Sequence, residues 1–129
     1  MSTTRAVRVV VCEDSVELRE LLADGLGSHA ALVVAGTAGD AASIVQVAAQ
    51  ARPDVVLLDL LVPGAEPDEL VAAVAAAAPG AAIVSYSGRG PEQLAEPARR
   101  LVAEHIEKTT PIAAIGERLV AIAVASSPR

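Results

Sequence analysis

With 129 residues, 53% of them hydrophobic and 20% charged, the chain is too apolar for a disordered segment and long enough for one domain with a two-sided core. A net charge of −6 excludes a chain that grips nucleic acid or anionic lipid by charge alone, so neither direct nucleic-acid binding nor a membrane is expected. A single cysteine, Cys12, excludes an internal disulfide and agrees with a cytoplasmic, reducing setting, and Arg8 breaks the N-terminal apolar run, leaving no signal peptide or membrane span.

Tyr86 is the sole aromatic residue, so the core has to be aliphatic. Val7–Cys12 is apolar and β-branched, the pattern of a strand buried on both faces. Asp14-Ser15-Val16-Glu17 has the form of a capping box, with Asp14 as N-cap and Glu17 reaching back. Val16, Leu18, Leu21, Leu22 and Leu26 then recur at near-helical spacing, and Gly25 and Gly27 mark the helix end. Residues 32–35 predict a second strand, closed by Gly36. Asp40 caps a helix to about Ala51 with Ile44, Val45, Val47 and Ala48 inward, and Arg52-Pro53 ends it. Val55–Leu58 is a third strand, and Pro63-Gly64 makes the turn after it. Glu66-Pro67-Asp68-Glu69 opens a third helix with acid at its positive end, and Pro79-Gly80 stops it. Ala82–Ser87 is the fourth strand. A short helical segment from 91 to about 102 carries Pro97 in its middle, residues 105–107 make a brief fifth strand around Ile106, and residues 112–125 a last amphipathic helix. Residues 1–125 thus form one domain, with 126–129 a frayed, disordered tail.

Strands alternating with helical segments predict an α/β fold: a flavodoxin-like, doubly wound, five-stranded parallel sheet in the order 2-1-3-4-5, with helices on both faces. Such sheets bind ligands at the carboxyl edge. That edge carries Glu13 and Asp14 after the first strand, Asp59 after the third, Ser87 after the fourth and Lys108 after the fifth. Taken singly, Asp14 is a helix cap, Glu13 a solvated loop acid, Asp59 a turn former and Lys108 a surface lysine. Taken together, the carboxylates call for a hard divalent cation, and the lysine and hydroxyl beside them call for a phosphoryl group. That is the chemistry of phosphorylating an aspartate.

At these residues the chain resembles the receiver domains of bacterial two-component response regulators, and the likeness covers nearly its whole length. It is carried by Val9-Val10-Val11-Cys12-Glu13-Asp14, by the run from Pro53 to Gly64 around Asp59, by Ile83-Val84-Ser85-Tyr86-Ser87-Gly88 and by Lys108-Thr109. The resemblance implies that Asp59 is the phosphoacceptor and that Glu13, Asp14, Asp59 and the backbone carbonyl of Leu61 hold Mg2+. It also implies that Ser87 meets the phosphoryl group, that Gly88 is the small neighbour giving it access, and that Lys108 pairs with the phosphate. A receiver takes its phosphoryl group from a sensor histidine kinase and loses it slowly, as a signalling switch rather than a turnover enzyme. Its partners are that kinase and a downstream protein or fused output domain, with a homodimer left open. Residues 33–40 and 79–84 are similar to receivers that precede a DNA-binding helix-turn-helix output. No such output lies in these residues, so the chain is either a stand-alone receiver or the N-terminal piece of a longer regulator.

Several positions depart from the family pattern. His105 stands where receivers usually carry a Tyr or Phe that swings inward, which makes it a switch position with Ser87 and, through its titratable ring, a pH-sensitive one; the plainer reading is an exposed, inert histidine. Pro97 interrupts the fourth helix. Thr109 replaces the usual proline after the lysine, where a cis bond is then costly. Leu61 and Arg89 occupy positions that tune phosphate lifetime. These departures motivate an alternative, an atypical receiver acting by phosphorylation-independent protein contact; the complete set Glu13, Asp14, Asp59, Ser87 and Lys108 argues against it. A nucleotide-binding module fits less well, because Gly36-Thr37-Ala38-Gly39 matches no phosphate-cradling fingerprint. An aspartate-nucleophile phosphatase needs a second Asp where Leu61 stands.

Overall fold

The computed structural model describes residues 5–88 and 94–126. Strands and helices alternate as β1 (Val7–Cys12), α1 (Val16–Gly27), β2 (Leu32–Ala38), α2 (Ala41–Ala51), β3 (Val55–Leu58), α3 (Pro67–Ala77), β4 (Ala82–Ser87), α4 (Ala98–Leu101), β5 (Val102–Glu107) and α5 (Ile112–Ser126). All neighbours in the sheet are parallel, in the order β2-β1-β3-β4-β5. The doubly wound sheet expected from the sequence is therefore the fold. No described helix is long and apolar enough to cross a membrane.

Side-chain alternation along each strand divides the core in two. Val9, Val11, Val55, Leu57, Val84, Tyr86 and Ile106 pack with Leu22 and Leu26 of α1 and with Ile115, Leu119 and Ile122 of α5. Val10, Cys12, Val56, Leu58 and Ile83 face the other way, onto Ile44 and Ala48 of α2 and Leu70, Val71 and Val74 of α3, with Ala98 of α4 alongside. Every side chain of β3 is buried, so this short central strand fixes the layers on both sides.

The structure corrects several expectations. Ser15, not Asp14, caps α1: its hydroxyl accepts from the Leu18 N–H, and the predicted capping box of Asp14 and Glu17 is not formed. Gly25 lies inside α1 rather than at its end, because the first residue of α5 packs against it; a Cβ there would stand 2.5 Å from Ile112 Cγ2. Val16 and Leu21, expected on the apolar stripe, are exposed. The strand expected to close at Gly36 runs on to Ala38, with a shift of register between Val9 and Val10. Gly36 admits the neighbouring helix, since a Cβ on it would lie 2.6 Å from Val47 Cγ1. Pro97 precedes α4 instead of sitting in its middle, after a cis Glu96–Pro97 bond, and α4 is one short turn. β5 starts at Val102, earlier than expected. Residues 91–93 of the expected helical segment, Arg89 and the tail residues 127–129 lie outside the described residues.

Two other helix starts follow their sequence signals. Asp40 Oδ1 accepts from the Ser43 N–H at 2.9 Å, and α3 opens at Pro67 with Asp68 and Glu69 in its first turn and the Glu66 N–H donating to Glu69 Oε1 at 3.4 Å.

Candidate functional site

The sheet's own hydrogen bonding carries the polar residues to one edge. Just past β1, the Glu13 N–H donates to Ala38 O of β2 at 3.0 Å. One residue past β3, the Asp59 N–H donates to Cys12 O at 2.9 Å, which sets Asp59 beside Glu13. Across the other half of the sheet the Lys108 N–H donates to Ser87 O at 3.2 Å. Carboxylate oxygens of Glu13, Asp14 and Asp59 all lie within 4.8 Å of one another. Glu13 and Asp59 are each 1% exposed, whereas Asp14 is open to solvent.

Lys108 joins the acids. Its Nζ lies 2.9 Å from Glu13 Oε1 and 3.1 Å from Asp59 Oδ2, and 5.6 Å from the centroid of the Tyr86 ring, which lies beneath it. The second oxygens are held by backbone: Glu13 Oε2 accepts from the Ser15 N–H and Asp59 Oδ1 from the Leu61 N–H, both at 3.0 Å. Three carboxylates thus face one ammonium, an excess of two negative charges in a largely buried place. Burial, reinforced by the charge of Asp59, raises the Glu13 carboxyl above its ordinary value despite the Ser15 N–H and Lys108. Burial works to lower Lys108, but its contacts with Glu13 and Asp59 outweigh it and the ammonium is held above its ordinary value. Burial likewise raises the Tyr86 hydroxyl, and it raises the Cys12 thiol far enough to leave a small, inert core residue.

Ser87 is the last residue of β4 and is 1% exposed. Among the described residues, nothing lies within 4 Å of where a Cβ on Gly88 would stand. The Leu61 side chain is 62% exposed at the rim. The Lys108–Thr109 bond is trans. His105 is not the exposed histidine of the plainer reading: its Nδ1 lies 2.7 Å from Ser85 Oγ across the β4–β5 pair, and its Nε2 is buried with no hydrogen-bond partner among the described residues.

Two participants escaped the sequence reading. Ser85, fully buried, is the partner of His105, and its place opposite His105 follows only from the register of β4 and β5. Arg19 Nη1 donates to the Glu13 carbonyl at 2.7 Å. Its one sequence signal is Gly39, a residue without a side chain just before the cap Asp40.

The family model for the response regulator receiver domain matches residues 9–119. The chain belongs to that family. As a receiver domain it is a phosphorylation-driven signalling switch. Among curated proteins the receiver is similar to protein-glutamate methylesterase/protein-glutamine glutaminase 5 of Myxococcus xanthus (strain DK1622), 33% identical over 115 residues, which are 88% of this chain and 33% of that protein. It is also similar to protein-glutamate methylesterase/protein-glutamine glutaminase 3 of the same organism, 37% identical over 84 residues, 65% of this chain and 24% of that protein. The chain spans about a quarter to a third of the length of these relatives. The signal receiver domain of the response regulator NarL from Mycobacterium tuberculosis superposes with a TM-score of 0.79 at 26% identity, covering 93% of this chain and 98% of that one. The response regulator domain of Thermotoga maritima CheB shares the fold, with a TM-score of 0.75 at 22% identity over 96% of this chain and 100% of that one.

Proposed function

We propose that Asp59 is the phosphoacceptor of this receiver and that it takes its phosphoryl group from the phosphohistidine of a sensor histidine kinase in the cytoplasm. The observation that carries the reading is the setting of Asp59: a buried carboxylate at the end of the central strand, one oxygen on the Leu61 N–H, the other 3.1 Å from Lys108 Nζ, with Glu13 and Asp14 alongside. Glu13, Asp14, Asp59 and the Leu61 carbonyl are the ligands we assign to Mg2+. The donor set fits a hard divalent cation, being all oxygen and carrying a two-charge excess once Lys108 is counted. When bound, the ion screens the repulsion between a carboxylate and an anionic phosphoryl group.

The chain's own residues supply the rest. The Asp59 carboxylate forms the new O–P bond as the P–N bond of the phosphoimidazole breaks, and the imidazole leaves with the electron pair and takes up a proton. Lys108, already seated between Glu13 and Asp59, meets the negative charge on the transferring group without being brought from solvent. The Ser87 hydroxyl and the position at Gly88 receive the remaining phosphoryl oxygens. Ser87, tied through its carbonyl to the Lys108 N–H, passes the change to β4 and β5, where His105 is the second switch residue.

Intact mass after incubation with Mg2+ and acetyl phosphate tests the reading. One added phosphoryl group on the native chain, absent from Asp59→Asn and abolished by a chelator, is the expected result. A labelled Asp59→Asn chain moves the acceptor elsewhere. An unlabelled native chain, under conditions that label another receiver and with its kinase supplied, leaves a receiver that works by protein contact alone.

A further inference from the structure

We propose that Arg19 is a positioning residue for the Mg2+ site: it holds the Glu13–Asp14 peptide in place, and thereby aims the Asp14 carboxylate, from a seat that exists because residue 39 is glycine. The inference rests on the assignment of Glu13, Asp14 and Asp59 as the cation ligands.

The three acids are not held alike. Glu13 and Asp59 are buried and fixed by Lys108 and by backbone N–H groups. Asp14 is exposed, and among the described residues its carboxylate has no hydrogen-bond or ion-pair partner. Its direction therefore depends on the backbone that carries it. That backbone lies beyond the ladder: the Glu13 N–H donates to Ala38 O, but β2 ends there and the chain turns through Gly39 into the cap of α2. A parallel ladder would next place an N–H on the Glu13 carbonyl, and no backbone N–H of the described residues does so. Arg19 Nη1 takes that place at 2.7 Å.

Arg19 reaches the carbonyl from the first turns of α1, where its N–H donates to Ser15 O and its side chain runs back toward the helix start. The guanidinium lies over Gly39. A Cβ on residue 39 would stand 2.2 Å from Arg19 Nη1 and 3.3 Å from the Glu13 carbonyl oxygen. Two residues far apart in sequence thus agree on one geometry, and the arrangement buries part of a charged side chain beside an acid cluster.

Electrostatics alone predicts the opposite effect on cation binding. A guanidinium near a divalent site repels the ion, so neutralising Arg19 should tighten binding if charge were its only influence. Groups that orient metal ligands typically change affinity about 10- to 100-fold when removed. The sign of the change therefore separates positioning from charge.

The experiment is a calorimetric Mg2+ titration of the native chain, Arg19→Met, Arg19→Lys, Gly39→Ala and Asp14→Asn, with thermal unfolding of each in chelator. We expect Arg19→Met and Gly39→Ala each to weaken Mg2+ about tenfold, the second while keeping the positive charge, and Arg19→Lys to recover part of the loss. Unchanged or tighter binding in Arg19→Met overturns the proposal, as does unchanged binding in Gly39→Ala. A lower unfolding temperature in chelator with native Mg2+ affinity assigns Arg19 a structural role only and also overturns it. A native chain that binds no Mg2+, or an Asp14→Asn chain that binds it as well as the native one, refutes the underlying ligand assignment instead.

Discussion

Lys108 shares one ammonium between two buried carboxylates, so the pocket keeps a negative excess whenever all its groups are charged. Glu13 bears the consequence: its carboxyl holds its proton to higher pH in the folded chain than at the ordinary value of 4.5. A raised folded value gives stability that is complete below the unfolded value and lost as pH climbs through the folded one. With metal chelated, the unfolding temperature of the native chain is therefore expected to fall more steeply as pH rises above 4.5 than that of Glu13→Gln; equal slopes would remove Glu13 as the source. Other shifted groups act in other windows. Asp40, lowered by the Ser43 N–H, loses its contribution only as pH falls below 3.8, and Lys108 only as pH rises above 10.5. Ser85 and His105 make a second residue-scale case. Ser85→Ala strips the half-buried imidazole of its hydrogen bond to Ser85 Oγ, at an expected cost of about 1–3 kcal/mol in urea unfolding, whereas Ser85→Ala with His105→Leu removes both partners and should recover most of it. If the double variant is no more stable than the single one, the hydrogen bond is not what the pair contributes.

The helices lie close because glycines let them. Alanine at residue 25 of α1 would ordinarily add about 1 kcal/mol of helix stability, but its Cβ would stand 2.5 Å from Ile112 Cγ2. Overpacking of that kind costs about 1–3 kcal/mol, and the branched Ile112 has no free rotamer at its Cβ to give way. Gly25→Ala is therefore expected to destabilise the chain by roughly 1 kcal/mol net, and in an Ile112→Ala background to become neutral or stabilising. A double-mutant cycle with no coupling would show that the α1–α5 contact is not the constraint. Gly25 and Gly36 show where sequence reading stops. An apolar run such as Val55–Leu58 identifies a buried strand because few other structures tolerate it, and that strand is found where expected. A glycine such as Gly25 or Gly36 looks alike whether it ends an element or admits a neighbour, and only the third dimension distinguishes the two. Pro97 is similar: proline forbids a helix interior, but sequence alone does not say that the helix begins after it.

At the scale of the molecule, one sheet edge gathers groups from four strands that span the chain from Glu13 to Lys108. This is why the site was largely legible: each polar residue ends an apolar run, and a parallel sheet in this order brings those ends together. What stayed hidden, Arg19 over Gly39 and Ser85 against His105, lies across elements whose relative placement no local pattern encodes. The same gathering links the site to global stability. Unfolding scatters the three acids, so a cation that binds only their folded arrangement must stabilise the whole domain. Mg2+ at a hundred times its dissociation constant is expected to add about 2.7 kcal/mol to the unfolding free energy. The urea midpoint should rise with no change in slope, because the surface exposed on unfolding stays the same. Asp59→Asn removes one of the three charges and one of the proposed ligands, so the gain at the same Mg2+ concentration should shrink sharply, although Lys108 still has Glu13 as a partner. A gain undiminished in Asp59→Asn would place the stabilising ion elsewhere on this acidic chain; a native chain that gains nothing would separate the acid cluster from divalent binding altogether.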